Sequence, residues 1–243
     1  MRIAYQGVIG AYSEAAALRF NDSADLMSCL SFENVFEAVD GGLATHGILP
    51  IENTIGGTIH RNYDLLLEHE LPIVGEIKLP IAHHLIVNEG TSLEQVQRVY
   101  SHPQGLAQCE GFLRRLAGVE IVATYDTAGS AKMIKEEALV DSAAIASERA
   151  ARHFGLKILQ SGIQDYADNM TRFLFVSKEA TPLGPPDKTT IVFTVSNEAG
   201  ALFKALSVFA LRDIDLTKLE SRPIPDRPFE YLFYADLNAN RED

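Results

Sequence analysis

Residues 98–124 read RVYSHPQGLAQCEGFLRRLAGVEIVAT, and this stretch decides the fold class. Residues 98–101 make a short strand. Apolar residues then fall at Leu106, Cys109, Phe112, Leu113 and Leu116, the spacing of one buried helical face over 104–117. A second strand follows at 120–124. A strand, a helix and a strand in such short order form a βαβ unit.

The same alternation runs outward in both directions. C-terminal to it come helix 128–137, strand 143–146, helix 147–153, strand 156–160 and strand 171–177. N-terminal to it lie helix 92–97 and extended apolar segments at 73–88, broken at Pro80. A helix over 59–69 places Ile59, Tyr63, Leu66 and Leu67 on one side, and 46–51 is a buried strand. Helix 31–40 is capped by Ser31, buries Phe32, Val35, Phe36, Val39 and Leu43, and stops at Gly41-Gly42. Ser13 caps helix 13–20, and 2–6 is the first strand. Two such runs predict two α/β lobes with mostly parallel sheets and a cleft between them. Lobe 1 takes about 1–78 and 161–178, and lobe 2 about 79–160.

The pattern breaks at 179–187 (EATPLGPPD), a linker that continues neither helix nor strand. From 188 to 243 the order is different. Residues 189–195 alternate with Ile191, Phe193 and Val195 on one face. Helix 200–212 turns Leu202, Ala205, Leu206 and Phe209 inward. Strands follow at 216–222 and 229–237, the latter with Phe229, Tyr231 and Phe233 on one side. This β-α-β-β order is ferredoxin-like and lacks a closing helix and strand, so the α+β module is expected to be incomplete.

The chain has 243 residues, 47% apolar and 22% charged, enough to bury a core without staples. Net charge is −12, of which −3 lies from Asp187 onward, so the acidity is general. That excludes nucleic acid, which needs clustered cations. No stretch approaches the ~18–20 apolar residues of a membrane span. The N-terminus reads as a strand with no secretory signal, and Cys29 and Cys109 lack a CxxC pattern. The expectation is a cytoplasmic protein with reduced thiols. No nucleotide motif, HExxH, zinc spacing or GxSxG elbow occurs, so neither a cofactor nor a metal is expected.

Five polar clusters remain at strand ends or helix starts, where open α/β sheets bind ligands. They are 10–14 (GAYSE), 50–54 (PIENT), 101–104 (SHPQ), 126–128 (DTA) and 168–173 (DNMTRF). Taken singly, each also reads as local structure. Ser13, Ser101 and Thr127 are good helix caps, Asn53 and Asn169 turn residues, Glu52 a solvated charge, and His102 a core histidine. Arg172 sits in an apolar strand start and needs an anionic partner. Together the clusters describe a cleft of hydroxyls, amides and helix N-termini suited to a small carboxylate. In the second module, 197–202 opens the helix and 220–223 ends a strand.

These segments, in this order, resemble prephenate dehydratases, a family that includes arogenate dehydratases. The likeness lies in GAYSEAA at 10–16, LPIENTIGG at 49–57, SHPQGLAQC at 101–109, DTAGSA at 126–131 and DNMTRF at 168–173. GALFKAL at 200–206 and ESRP at 220–223 resemble an ACT regulatory domain. The sequence departs from the family pattern at Val8 and Ala199, where proline is common.

The resemblance implies a catalytic part built like type II periplasmic binding proteins, followed by an ACT domain. It implies decarboxylating dehydration of prephenate to phenylpyruvate, water and carbon dioxide without a cofactor, in phenylalanine biosynthesis. The alternatives are arogenate dehydration to phenylalanine and a non-catalytic carboxylate sensor. Thr171 takes the catalytic hydroxyl's place, with Arg172 and Phe173 completing the motif. Ser13, Glu52, Asn53, Thr54, Ser101, His102, Gln104, Thr127 and Asn169 are the implied substrate-binding residues. Phenylalanine is the implied effector, at Gly200, Ala201, Leu202, Glu220, Ser221 and Arg222, in a homodimer or homotetramer.

Overall fold

Short apolar strands alternating with capped helices fold here into two mixed sheets and a separate small one. The structure, a computed structural model, describes residues 1–224 and 227–240 and divides into two units, Met1–Thr181 and Pro182–Asp243.

In the first unit the chain runs β1 (Arg2–Gln6), α1 (Tyr12–Phe20), β2 (Asp25–Cys29), α2 (Phe32–Asp40), β3 (His46–Asn53), β4 (Gly57–Thr58), α3 (His60–His69) and β5 (Ile73–Pro80). It continues through β6 (His84–Val87), β7 (Arg98–Ser101), α4 (Pro103–Ala107), α5 (Glu110–Leu113), β8 (Glu120–Ala123) and α6 (Thr127–Glu136). β9 (Ser142–Ala146), α7 (Glu148–Phe154), β10 (Lys157–Gln160) and β11 (Met170–Val176) close it.

One sheet has the order β2-β1-β3-β11-β5, with β4 on β3; the other is β8-β7-β9-β6-β10. Each therefore sets three parallel strands beside an antiparallel one. The expectation of mostly parallel sheets is corrected. The chain crosses between lobes before β6 and again before β11, and each crossing strand enters its new sheet reversed. One core gathers Val35, Phe36, Val39, Leu49 and Leu65; the other gathers Leu85, Val99, Cys109, Phe112 and Ile145.

Several local readings also change. β2 was not expected, because Asp25 and Ser28 interrupt its apolar signal. The expected helix 92–97 is a single 3-10 turn, Leu93–Gln95, where Gln95 Oε1 accepts from Ser92 N at 2.7 Å. The expected helix 104–117 splits into α4 and α5. Gln108 O accepts from Asp165 N at 2.7 Å and Gly111 N donates to Asp165 Oδ1 at 3.0 Å, so the crossing segment captures the backbone between them. On α3 the buried face is Asn62, Tyr63 and Leu65, with Leu67 exposed, and Leu43 lies exposed beyond α2.

Capping corrects two further expectations. Ser31 does accept from Asn34 N at 3.3 Å. Ala11, not Ser13, is the N-cap of α1, and Asp126, not Thr127, caps α6 by accepting from Ala128 N at 3.0 Å.

The second unit runs β12 (Thr189–Thr194), α8 (Ala201–Ala210), β13 (Leu216–Pro223) and β14 (Tyr231–Leu237), with antiparallel order β12-β14-β13. Phe229, expected on the last strand, lies before it at φ 64° and is exposed. Residues 225–226 and 241–243 of the expected 188–243 module lie outside the described residues.

The two lobes of the first unit meet where the loop after β1 touches α7. Arg149 binds Glu14 in a fork, Nε to Oε2 at 2.6 Å and NH2 to Oε1 at 2.9 Å. Ser147 Oγ donates to Gly10 O at 2.7 Å. Gly10 sits at φ +96°, and a Cβ there would lie 2.6 Å from Ala150 Cα. Gly10→Ala is therefore expected to cost about 1–3 kcal/mol. Thermal unfolding would read this as a fall of about 2–4 °C per kcal/mol, and an unchanged midpoint would disprove the tight contact.

Candidate active site

Thr171 and Phe173 are two residues apart on β11 and so face the same side. Opposite them the register shifts: Arg172 pairs with Glu52, but Phe173 pairs with Pro50, leaving Ile51 as the extra residue of a bulge. Pro50 and Asn53 thereby reach the same side as well. With residues at the N-terminal ends of α1, α4 and α6, these four wall a cavity of about 810 Å³ between the lobes, a size suited to a small organic ligand.

A chain of amides runs behind the cavity. Asn53 Oδ1 accepts from the backbone N–H groups of Ile55 (3.0 Å) and Gly56 (2.7 Å). That contact admits only one orientation of the carboxamide. Asn53 Nδ2 must then donate, to Asn169 Oδ1 at 2.7 Å and to Thr171 Oγ1 at 2.9 Å, with Met170 O at 3.1 Å. Asn169 Nδ2 donates to Gln108 Oε1 at 2.9 Å, and Gln108 Nε2 donates to Asn53 Oδ1 at 3.2 Å. His83 Nε2 lies 2.8 Å from the same Gln108 oxygen, so it carries the proton there. His83 Nδ1 then accepts, and it shares the single proton of the Tyr12 phenol, at 3.0 Å, with Ala82 O at 2.7 Å. Two backbone amides thus orient every member of the chain. Because Thr171 Oγ1 accepts a hydrogen bond from Asn53 Nδ2, its own O–H is left to donate to a group in the cavity.

The structure brings Ser13, Asn53, His102, Gln104, Thr127, Thr171 and Phe173 to the cavity wall. Asn169 is buried behind it, holding Asn53 and Gln108. Four others point elsewhere. Arg172 alternates away from Thr171 and donates from Nε to Glu76 Oε2 at 2.7 Å. Glu52 stands opposite it in register, also off the wall. Ser101 is buried and donates to Ile145 O at 2.7 Å, and His102 rather than Ser101 caps α4. Thr54 donates to Asp168 O at 3.0 Å and accepts from Met170 N at 3.0 Å, tying the second crossing to β3. The expectation that Arg172 supplies the cavity's charge is corrected: among the described residues, no lysine or arginine lines it, and Asp126 brings the one carboxylate.

Sequence reasoning placed Asp126 in the 126–128 cluster without giving it a role, and did not single out Gln108 or His83. Gln108 follows Gln104 by one helical turn inside the SHPQGLAQC stretch, and that spacing was the available signal. In the second unit, Thr194 and Arg222 both pair with Leu232. The loop entering α8 at Gly200 and the end of β13 at Glu220, Ser221 and Arg222 therefore share one end of the sheet.

Burial dominates the electrostatics. It pushes the Tyr12 phenol up and holds His83 and His102 below their ordinary value, so both imidazoles are neutral donors and acceptors. His102 Nδ1 accepts from Gln104 N at 3.2 Å, which leaves its proton on Nε2. For His83 the unfolded chain takes up a proton near pH 6.5 that the folded chain refuses. Its stability contribution is present above pH 6.5 and is lost as the pH falls through the lower folded value. Nitrogen-15 NMR of the imidazoles is expected to report the neutral Nε2–H tautomer for His83 at neutral pH; the Nδ1–H tautomer would reverse the amide chain. His83→Gln is expected to weaken the loss of stability on acidification.

The family profile described as prephenate dehydratase matches residues 3–181. Arogenate dehydratase/prephenate dehydratase 2, chloroplastic, of Arabidopsis thaliana is 50% identical over 256 residues, covering 100% of this chain and 66% of its own length. The chain thus spans just under two thirds of that relative. A solved structure described as GqqA, a novel type of quorum quenching acylase, is 34% identical with a TM-score of 0.89, covering 100% of this chain and 89% of that one. Prephenate dehydratase of Arthrobacter aurescens in complex with L-Phe is 29% identical with a TM-score of 0.89, covering 98% of this chain and 80% of that one. A family match over residues 3–181, which spans every cavity-lining residue, and a relative 50% identical across the chain lead to one conclusion: this chain belongs to the prephenate dehydratase family.

Proposed function

We propose that the chain catalyses decarboxylating dehydration of a cyclohexadienyl acid, prephenate or arogenate, giving phenylpyruvate or phenylalanine with carbon dioxide and water. The observation that carries this reading is the Thr171 hydroxyl on the cavity wall, whose oxygen accepts from Asn53 Nδ2 and whose own proton is therefore available to donate. In the reaction the bond from the ring to its carboxylate breaks, and the electron pair enters the ring. Hydroxide leaves from the opposite ring carbon and takes up one proton to become water. Aromatisation drives both steps, so the protein's task is to hold the acid and stabilise the departing oxygen.

Thr171 suits the second task as a preoriented donor; a neutral hydroxyl is too weak an acid for full proton transfer. The neutral His102, with its proton on Nε2, is a second donor on the same wall. The starts of α1 and α6 offer hydroxyls at Ser13 and Thr127. Acyl transfer, as named for GqqA, needs a nucleophile held by a base. The Thr171 oxygen meets an amide donor instead, which favours the dehydratase reading.

The second unit, similar to an ACT domain, is proposed to take phenylalanine as effector near Gly200, Ala201, Leu202, Glu220, Ser221 and Arg222. The complex named for the Arthrobacter aurescens relative supports this. Such a site between paired domains belongs to a homodimer or homotetramer. Both cysteines are free, buried thiols, which suits a reducing compartment such as the cytoplasm.

Supplying prephenate and arogenate separately to the purified chain, and following phenylpyruvate and phenylalanine, tests the activity. Turnover of neither would leave the sensor reading. Thr171→Ala is expected to lower kcat about 100- to 1000-fold, with Thr171→Ser retaining most of it. Phenylalanine is expected to inhibit, and Ser221→Ala to relieve that inhibition; equal inhibition of both proteins would place the effector elsewhere.

A further inference from the structure

We propose that Asp126 is the specificity-determining residue of this cavity: its carboxylate receives the α-ammonium of the substrate and so favours arogenate over prephenate. The inference rests on the dehydratase reading above. The two acids share both carboxylates and the ring hydroxyl. They differ at the carbon beside the side-chain carboxylate, which carries an ammonium group in arogenate and a keto oxygen in prephenate.

Three observations point to the ammonium. Asp126 lines the cavity, half-buried, in a wall where no lysine or arginine stands among the described residues. A dianion with a keto oxygen would meet a carboxylate there with no cation to offset it, whereas an ammonium pairs with it. Secondly, Asp126 has acceptor capacity left. Oδ1 caps α6 through Ala128 N at 3.0 Å, while Oδ2 takes only a long contact of 3.4 Å from Val8 N. A carboxylate oxygen offers about two lone pairs, so Oδ2 keeps capacity for a further, charged donor. Thirdly, the next residue, Thr127, opens α6 on the same wall. A carboxylate group next to a hydroxyl at a helix start answers an ammonium and a carboxylate borne on one carbon. Arg172, the cation expected from sequence, is engaged by Glu76 on the other face of β11.

The test is the ratio of kcat/KM for arogenate to that for prephenate, measured on the full chain and on Asp126→Asn. Asparagine keeps both the volume and the capping oxygen. The expected result is an arogenate preference in the unaltered chain and a fall in the ratio of about 10-fold or more in the variant, carried by KM for arogenate. Asp126→Ser, which also caps a helix without a carboxylate, should lower the ratio in the same direction. Equal losses on both acids would assign Asp126 a structural role only and overturn the proposal, as would an unchanged ratio. Turnover of neither acid by the unaltered chain would remove the dehydratase reading, and this inference with it. Turnover of both with a fixed ratio removes the inference alone.

Discussion

The carboxamide of Asn53 is held in one orientation by the backbone N–H groups of Ile55 and Gly56, and the site is built on that constraint. An amide that could flip would offer Thr171 either a donor or an acceptor. Fixed as it is, Asn53 gives Thr171 a donor, and the same choice passes through Asn169 and Gln108 to His83. The members come from both lobes and from both crossings between them. The same hydrogen bonds therefore tie the lobes together and orient the Thr171 hydroxyl. Buried amides of this kind are costly when unpaired, so the network also disfavours any lobe arrangement that breaks it.

The charge of the molecule and the charge of its cavity tell one story at different scales. A net charge of −12 excludes polyanionic partners, yet it also raises the question of how an acid is bound. Arg172 looked like the answer in the sequence. In the fold it belongs to a β5–β11 ion pair with Glu76, leaving the cavity to hydroxyls, amides and neutral imidazoles. Neutral donors hold an acid without drawing in every small anion in solution, and a carboxylate on the wall sharpens that discrimination.

Much of this architecture was legible in the chain. Spacing marked the helices, alternation marked most strands, and strand ends marked the cavity, because side-chain periodicity is a local property. Asn53, His102 and Gln104 fall in polar clusters at those strand ends, while Thr171 owes its role to the resemblance of the DNMTRF segment at 168–173. What was not legible depended on distant contacts. The split of 104–117 follows from Asp165 capturing its backbone, and the pairing of Arg172 follows from which strand lies beside β11. His83 lies in the crossing just after Pro80, inside the extended 73–88 stretch, where nothing local marks one histidine for a site. Strict period-two counting along Thr171, Arg172 and Phe173 would nonetheless have set Arg172 on the opposite face.

The fork between Glu14 and Arg149 joins the lobes where the first turn of α1 meets α7. Glu14 is shielded, while the Arg149 side chain keeps 43% of its surface in water. Dissolved ions reach one partner and not the other, so added salt weakens the fork from the outside without entering the cavity. Salt therefore acts on the seam between the lobes, at two side chains that lie off the cavity wall.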